Sequence, residues 1–238
     1  MSTVYDKLII PPGKVTGCLP RVSRYGQWCS KLEDSIDIVP KEQWQQYIDE
    51  GVTLTSQVKN IFDQDGVGSC AFESTAQALQ IIRSWGGQPF EKLNPWSGYC
   101  FTSGGKDRGS NIDTNLQHAR DVGLLPMSVW PRFKGWMTKP SQELLDNVAC
   151  NYQIDEFFDI ATIDEVGTAL LKCFPVVFGW QGHSCVLTSL VSTSVAQYVN
   201  SWGTDWGDNG FGQIRLNAIN FGYGAFAVRT VVDNGIAT

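Results

Sequence analysis

The chain carries only two histidines, His118 and His183, and none of its cysteines sits in a C-x-x-C pair. A zinc site built from closely spaced thiolates and imidazoles is therefore not expected, and no other metal or cofactor is called for. The cysteines number seven, an odd count in a chain of 238 residues, which excludes a small disulfide scaffold. Each cysteine is first read as a buried thiol. No window approaches the ~18 consecutive apolar residues that span a bilayer, so no membrane insertion is expected. A basic stripe is missing too: acids and bases are interspersed and the net charge is −6, which argues against nucleic acid as a partner. The opening MSTVYDKLIIPPGK breaks its short apolar run with two prolines and does not read as a secretory signal. The expectation is an intracellular (cytoplasmic) protein, or one made in a cell and packaged in a virion. Internal repeats and low-complexity tracts are absent.

What is present suits a globular body of one domain or two closely packed lobes, with 42% apolar and 18% charged residues. Residues 1–36 hold Pro11, Pro12, Gly13 and Pro20 and read as an arm or strap. Residues 37–69 alternate short apolar pieces with turns. From Cys70 to Trp85, the spacing of Phe72, Ala76, Leu79 and Ile82 predicts a helix, with Ser69 at the N-cap position and Gly86-Gly87 ending it. A shorter helix is predicted over Ile112–Val122, stopped by Gly123, and another after Ser141. The run Thr162-Ile163-Asp164-Glu165 is a capping box opening a helix to about Cys173. After Pro175 the pattern turns to strands: PVVFGW, SCVLTSLV, VAQYVN, FGQIRL and AFAVRTVV. Helices followed by antiparallel strands make an α+β order, in two lobes with a cleft between them.

Cys70 falls in the first turn of the long helix, where free N–H groups and the helix dipole stabilise a thiolate. A Cys nucleophile needs a proton acceptor. His118 lies among polar neighbours in a predicted helix and reads as solvated, which leaves His183. Asn200, at the end of a later strand, could fix the tautomer and ring plane of His183 while leaving the ring free to carry charge. Trp202 could lie over that contact and keep water away. Gln64, six residues before Cys70, could point its side-chain N–H at a developing oxyanion together with the backbone N–H of Cys70. Cys185 shares the strand face of His183 and reads as packing beneath it.

With Gln64, Gly68-Ser69-Cys70, His183 and NSWGTDWGDNGFG (residues 200–212) in view, the sequence resembles the papain family of cysteine peptidases, from about Ile38 to Val232. The segment VPKEQWQQYIDEG is similar to that family's mature start. The resemblance implies an arm over residues 1–36 and a papain-like domain over 37–238. Its helical left lobe would cover about 50–135, and an antiparallel, β-barrel-like right lobe about 140–235. It implies thiol-dependent cleavage of a polypeptide substrate with Cys70 as nucleophile, His183 as acid and base, Asn200 orienting His183, and Gln64 in the oxyanion hole. Gly109-Ser110 is similar to the backbone edge that pairs with substrate, and Asn111, Ile112, Gly182 and Trp202 complete the substrate-binding set. No acidic residue falls near the expected pocket, so a small or apolar P2 side chain is expected.

The sequence departs from the family in three places. Val67 stands where the family has a cysteine, and Ala71 where it has an aromatic. The interval from Cys70 to His183 is shorter than the usual ~130–150 residues, chiefly because PVVFGW meets QGHSC through a two-residue turn. An unusually open leaving-group side is the consequence expected. Two further readings stay open: a papain-like structural or binding module assembled through residues 1–36, and an acyl transferase using the same three side chains.

Overall fold

The computed structural model describes residues 3–5 and 7–232. Its centre is a helix, α2 (Cys70–Trp85), whose residues from Cys70 to Arg83 are all buried. An amphipathic surface helix would show a polar face; this one is enclosed on every side, so its apolar residues spread around the cylinder. The sheet that covers it takes β4 (Ile154–Ile160), β5 (Val176–Trp180), β6 (His183–Ser192), β7 (Val195–Val199), β8 (Phe211–Arg215) and β9 (Ala225–Val231). Strand alternation divides the core. Val177, Val186, Val199 and Val228 face α2, while Phe178, Leu187, Tyr198 and Ala227 face the opposite layer. That second layer contains α6 (Ile163–Leu171) and α1 (Trp44–Asp49), anchored by the buried Trp44, whose Nε1 donates to Val39 O at 3.0 Å.

The strand order is β1-β8-β7-β6-β5-β9-β4, with β1 (Val4–Tyr5) parallel to β8 and the other pairings antiparallel. The sheet is thus open among the described residues, not the barrel-like closure expected. An edge stays on each side because β4 and β1 do not meet. The helices α3 (Trp96–Thr102), α4 (Ile112–Asp121) and α5 (Gln142–Asn147) complete the helical half. No helix among the described residues is long and apolar enough to cross a membrane.

Local chemistry explains most of these elements. Thr162 Oγ1 accepts from Glu165 N at 3.2 Å and Glu165 Oε2 accepts from Thr162 N at 2.9 Å, a complete capping box at the start of α6. The helix ends at Leu171, short of Cys173, which takes a left-handed φ of 60°. Between β5 and β6, Gln181 and Gly182 both have positive φ, 50° and 81°, and Trp180 pairs with His183. This is the two-residue turn whose twist matches a hairpin, and it fixes the register of His183.

Residues 1–36 were expected to form an arm, and the described part of it is held along its length by the rest of the chain. Tyr5 stacks on Trp206 at 5.4 Å, and Lys14 Nζ reaches Asp63 Oδ2 at 2.6 Å. β2 (Cys18–Leu19) pairs in parallel with β3 (Ser110–Asn111). The Arg21 guanidinium makes a bidentate pair with buried Asp159, at 2.9 and 2.6 Å. Asp113 Oδ2 accepts from the N–H groups of Val22 and Ser23 at 2.9 and 2.7 Å. Leu32 is fully buried in the core of the sheet's second layer.

Candidate active site

Cys70 opens α2 and is fully buried. Three backbone N–H groups are directed at its sulfur, from Ser184 on β6, Gly17 on the arm and Ala71 in its own turn. They favour the thiolate, but burial outweighs them and pushes the thiol up to about 12. Ser69 occupies the N-cap position without capping: its side chain makes no hydrogen bond to the helix backbone. Its hydroxyl instead donates to Glu73 Oε1 at 3.0 Å and accepts from Trp96 Nε1 at 3.2 Å. An indole from α3 thus reaches the turn where Ala71 leaves no aromatic. Val67 is buried in the core around α2, and all seven cysteines are free.

Glu73, one turn beyond the thiol, is fully buried and held by both Arg132 contacts at 2.7 Å, with the Arg132 guanidinium 4.3 Å over the Trp96 ring. Burial raises its carboxyl to about 7, more than Arg132 and Ser69 lower it. Because the folded value exceeds the ordinary 4.5, the folded chain holds the proton longer. Glu73 therefore contributes stability below about pH 4.5 that is lost as pH rises to about 7, by up to roughly 3 kcal/mol. Glu73→Gln is expected to lose that slope in urea unfolding compared at pH 4.5 and 7.5. An identical pH dependence in both proteins would contradict it.

The hairpin places His183 at the start of β6, next to Ser184, whose backbone N–H faces the thiol. Its Nε2 lies 2.6 Å from Asn200 Oδ1, and an amide oxygen only accepts, so Nε2 carries the proton and Nδ1 keeps its lone pair. Nδ1 makes no hydrogen bond. Asn200 Oδ1 also accepts from Ser201 N at 2.7 Å and from the Cys185 thiol at 3.5 Å, which places Cys185 against the amide. Trp202 is buried and stacks on the imidazole at 4.4 Å. Burial lowers His183 to about 4, with the Asn200 contact opposing it. Thiol and imidazole are therefore both neutral at pH 7 in this arrangement. His118, expected to be solvated, is instead packed against Phe101 and Phe72 at 5.1 and 5.8 Å. Burial lowers its imidazole to about 4. Polar neighbours in sequence do not mark an exposed face here, since Asp113 and Asn115 of the same helix are themselves buried.

Gln64 is fully buried, and its Oε1 accepts from Ser201 Oγ at 2.9 Å, which turns Nε2 the other way. Nε2 donates to Val67 O at 2.7 Å and to the arm carbonyl of Val15 at 3.2 Å. Trp202 Nε1 donates to that same carbonyl at 3.2 Å. Further along the arm, Gly17 O accepts from Ser110 N at 2.9 Å and Cys18 N donates to Gly182 O at 2.8 Å. Asn111 Nδ2 donates to Pro20 O. A Cβ on Gly109 would lie 2.2 Å from Gly17 O. Of the six residues expected to bind substrate, Ile112 alone is absent from these arm contacts; it is fully buried at the start of α4. The leaving-group side, expected to be open, is also covered: Leu8 N donates to Gln181 Oε1 at 3.2 Å, and Thr16 lies beside Gly182.

The cleft walls are tied together by residues no sequence pattern singled out. Asp107 Oδ1 accepts from Gly68 N at 2.8 Å and from the Tyr99 hydroxyl at 2.9 Å, and that hydroxyl accepts from Gly109 N at 3.1 Å. One carboxylate and one phenol thus set the gap through which the arm passes. Among the described residues no group of three or more His, Cys, Asp or Glu side chains is arranged to hold a metal.

The architecture, helices with a buried cysteine packed on a large, mostly antiparallel sheet, is that of the papain-like cysteine proteases. Among solved structures the chain is similar to xylellain, a cysteine protease from Xylella fastidiosa, with TM-score 0.68 and 19% identity over 94% of this chain and 99% of that one. It is similar to digestive procathepsin L 3 of Tenebrio molitor, with TM-score 0.61 and 15% identity over 75% of this chain and 69% of that one. The Carica candamarcensis cysteine protease CMS1MS2, solved in complex with E-64, gives TM-score 0.57 and 16% identity over 79% of this chain and 97% of that one. No protein-family model and no curated protein matches the chain.

Proposed function

We propose that the chain is a thiol peptidase of papain-like type, held latent by its own residues 14–23. The observation that carries this reading is that the arm satisfies the polar groups a peptide substrate would need. Val15 O takes the Gln64 amide, Gly17 O takes Ser110 N, and Cys18 N takes Gly182 O. The arm is not set up to be cut there, because Gly17 offers the sulfur an N–H and its carbonyl is already engaged by Ser110. With the arm displaced, His183 Nδ1 accepts the Cys70 proton, the thiolate attacks a peptide carbonyl, and His183 returns the proton to the leaving amine. Asn200 Oδ1 keeps the ring in place, and Gln64 Nε2 with the Cys70 N–H receives the oxyanion. An assembly role for residues 1–36 would require the same release, since those contacts are made within the chain.

The test is selective alkylation. In protein opened by removal of residues 1–20, an iodoacetamide-type reagent at pH 6 is expected to label Cys70 at least tenfold faster than any other thiol. Equal labelling of all accessible cysteines would sink the reading, because a reactive thiolate at pH 6 is what the Cys–His pair supplies.

A further inference from the structure

The stripe of α2 that starts at Cys70 continues through Ser74 and Gln77, at the i, i+4, i+7 spacing that puts all three on one face. Ser74 Oγ is satisfied by Ser184 Oγ at 2.6 Å. Gln77 is not satisfied: it is 3% exposed, and neither its Oε1 nor its Nε2 has a hydrogen-bond partner. Asn200, also 3% exposed, has the same deficit at Nδ2, although its Oδ1 is fully engaged. Both side chains, with Ser74, Ser184 and Ser201, line one small internal cavity of about 10 Å³. Buried amides without partners are costly, roughly 1–3 kcal/mol for each group, and native interiors rarely leave two facing one space. That volume is close to the least that holds one water molecule, and although Phe62, Cys185 and Val199 also line the space, two unpartnered amides face it, unlike the wholly apolar cavities that stay dry.

We propose that this cavity binds one water molecule that accepts from Asn200 Nδ2 and donates to Gln77 Oε1, making Gln77 a positioning residue for His183. The two ends of an Asn amide differ only in which is donor and which acceptor. The Asn200 end facing His183 must be the oxygen, because that end accepts from His183 Nε2, Ser201 N and the Cys185 thiol. An acceptor fixed behind Nδ2 holds the amide in that sense. Ser74 thus ties the nucleophile's own helix to Ser184 at the start of β6, and Gln77, through the water, ties it to the strand end that carries Asn200. The bound water stands by itself, whereas its effect on turnover rests on the peptidase reading.

The water is tested in the unaltered full-length protein, in a high-resolution crystal structure with the amide orientations assigned. An ordered water within hydrogen-bond distance of both Asn200 Nδ2 and Gln77 Oε1 is expected, and a cavity without one overturns the proposal. The positioning role is tested with Gln77→Leu, which keeps the bulk and removes the amide. Imidazole nitrogen NMR is expected to show His183 predominantly protonated at Nε2 in the unaltered protein and a mixture of tautomers in the variant. In an arm-released background, kcat is expected to fall about tenfold with KM unchanged. Unchanged tautomer populations overturn the role. If the released protein shows no turnover at all, the peptidase reading fails while crystal structure and NMR still decide the water. Should Gln77→Leu not fold, Gln77→Met is measured in its place by the same NMR signature.

Discussion

Replacing Gly17 with Ala is expected to raise the alkylation rate of Cys70 at pH 7 by on the order of a thousandfold. A Cβ at residue 17 would lie 2.0 Å from Gly68 O, 2.5 Å from Gly68 C and 2.7 Å from its Cα. These are backbone atoms of a wall tied to Asp107, so they cannot step aside as a flexible side chain would. The arm must lift instead. Gly17 is not in the left-handed region, so alanine costs nothing in backbone conformation and the effect comes from contact alone. Lifting the arm removes the Gly17 N–H and, more consequentially, readmits water to a thiol that burial holds at about 12. A return toward the ordinary ~8.5 multiplies the thiolate fraction at pH 7 by roughly a thousand or more, because each unit is a factor of ten. His183 recovers in the same event, since burial is also what holds it at about 4. Cleavage of a peptide amide is expected to appear with the reactivity and to vanish when Cys70→Ala is added. Ile9→Ala, on an exposed part of the arm, serves as the control with no change. A folded Gly17→Ala protein alkylated at the original rate would show that the arm does not set the state of Cys70.

Much of this machinery could be read from residue order, and the parts that could not share a physical reason. The long helix was legible because Phe72, Ala76, Leu79 and Ile82 recur at helical spacing, and the Thr162–Glu165 box because capping is local. The hairpin that places His183 was legible because a two-residue turn leaves few alternatives. α3 and β4 were not. WSGYCFT has no helical stripe, and its Trp96 is explained by a distant partner, the Ser69 hydroxyl. IDEFFDI carries a buried Asp159 and two register shifts against β9, which break the alternation that marks a strand. α1 is short and depends on the burial of Trp44. The arm's place across the cleft was hidden for a different reason. Val15, Gly17 and Cys18 are held there by backbone hydrogen bonds, which any residues could make and no side-chain pattern announces. A Pro- and Gly-containing stretch of this kind reads as loop whether it waves in solvent or fills a site.

The second large effect is expected where the arm leaves the cleft. Asp159 is 1% exposed on its side chain, and its carboxylate is met by Arg21 Nη1 at 2.9 Å, Arg21 Nη2 at 2.6 Å and Gly26 N at 2.9 Å. Its backbone is engaged by the same stretch of chain, accepting from Leu32 N at 3.1 Å and donating to Ser30 O at 2.9 Å. Arg21→Met keeps a stem to pack near Phe226, over which the guanidinium now sits at 5.2 Å, but strands the carboxylate with a single N–H. A buried charge that loses its partner costs about 3–5 kcal/mol, more than the pair itself contributes, because the desolvation is no longer offset. The chain can meet that cost in two ways. It can keep the arm down and lose global stability, with Tm falling by roughly 6–20 °C for a chain of this size. Alternatively, it can let residues 14–26 peel away so that water reaches Asp159, which spares the body and exposes Cys70. Peeling is the cheaper course, because the arm contributes few buried apolar side chains, Cys18 among them, while Leu32 and the sheet stay in place. Arg21→Met is therefore expected to raise Cys70 alkylation at least tenfold while Tm falls by less than the full cost would dictate. Adding Asp159→Leu removes the stranded charge. It is expected to restore Tm but not the protection of Cys70, since the arm still lacks its anchor. If Arg21→Met instead lowered Tm by the full amount and left Cys70 as unreactive as before, Arg21–Asp159 would be a pair that holds the body together, and the latch on the cleft would lie nearer Gly17.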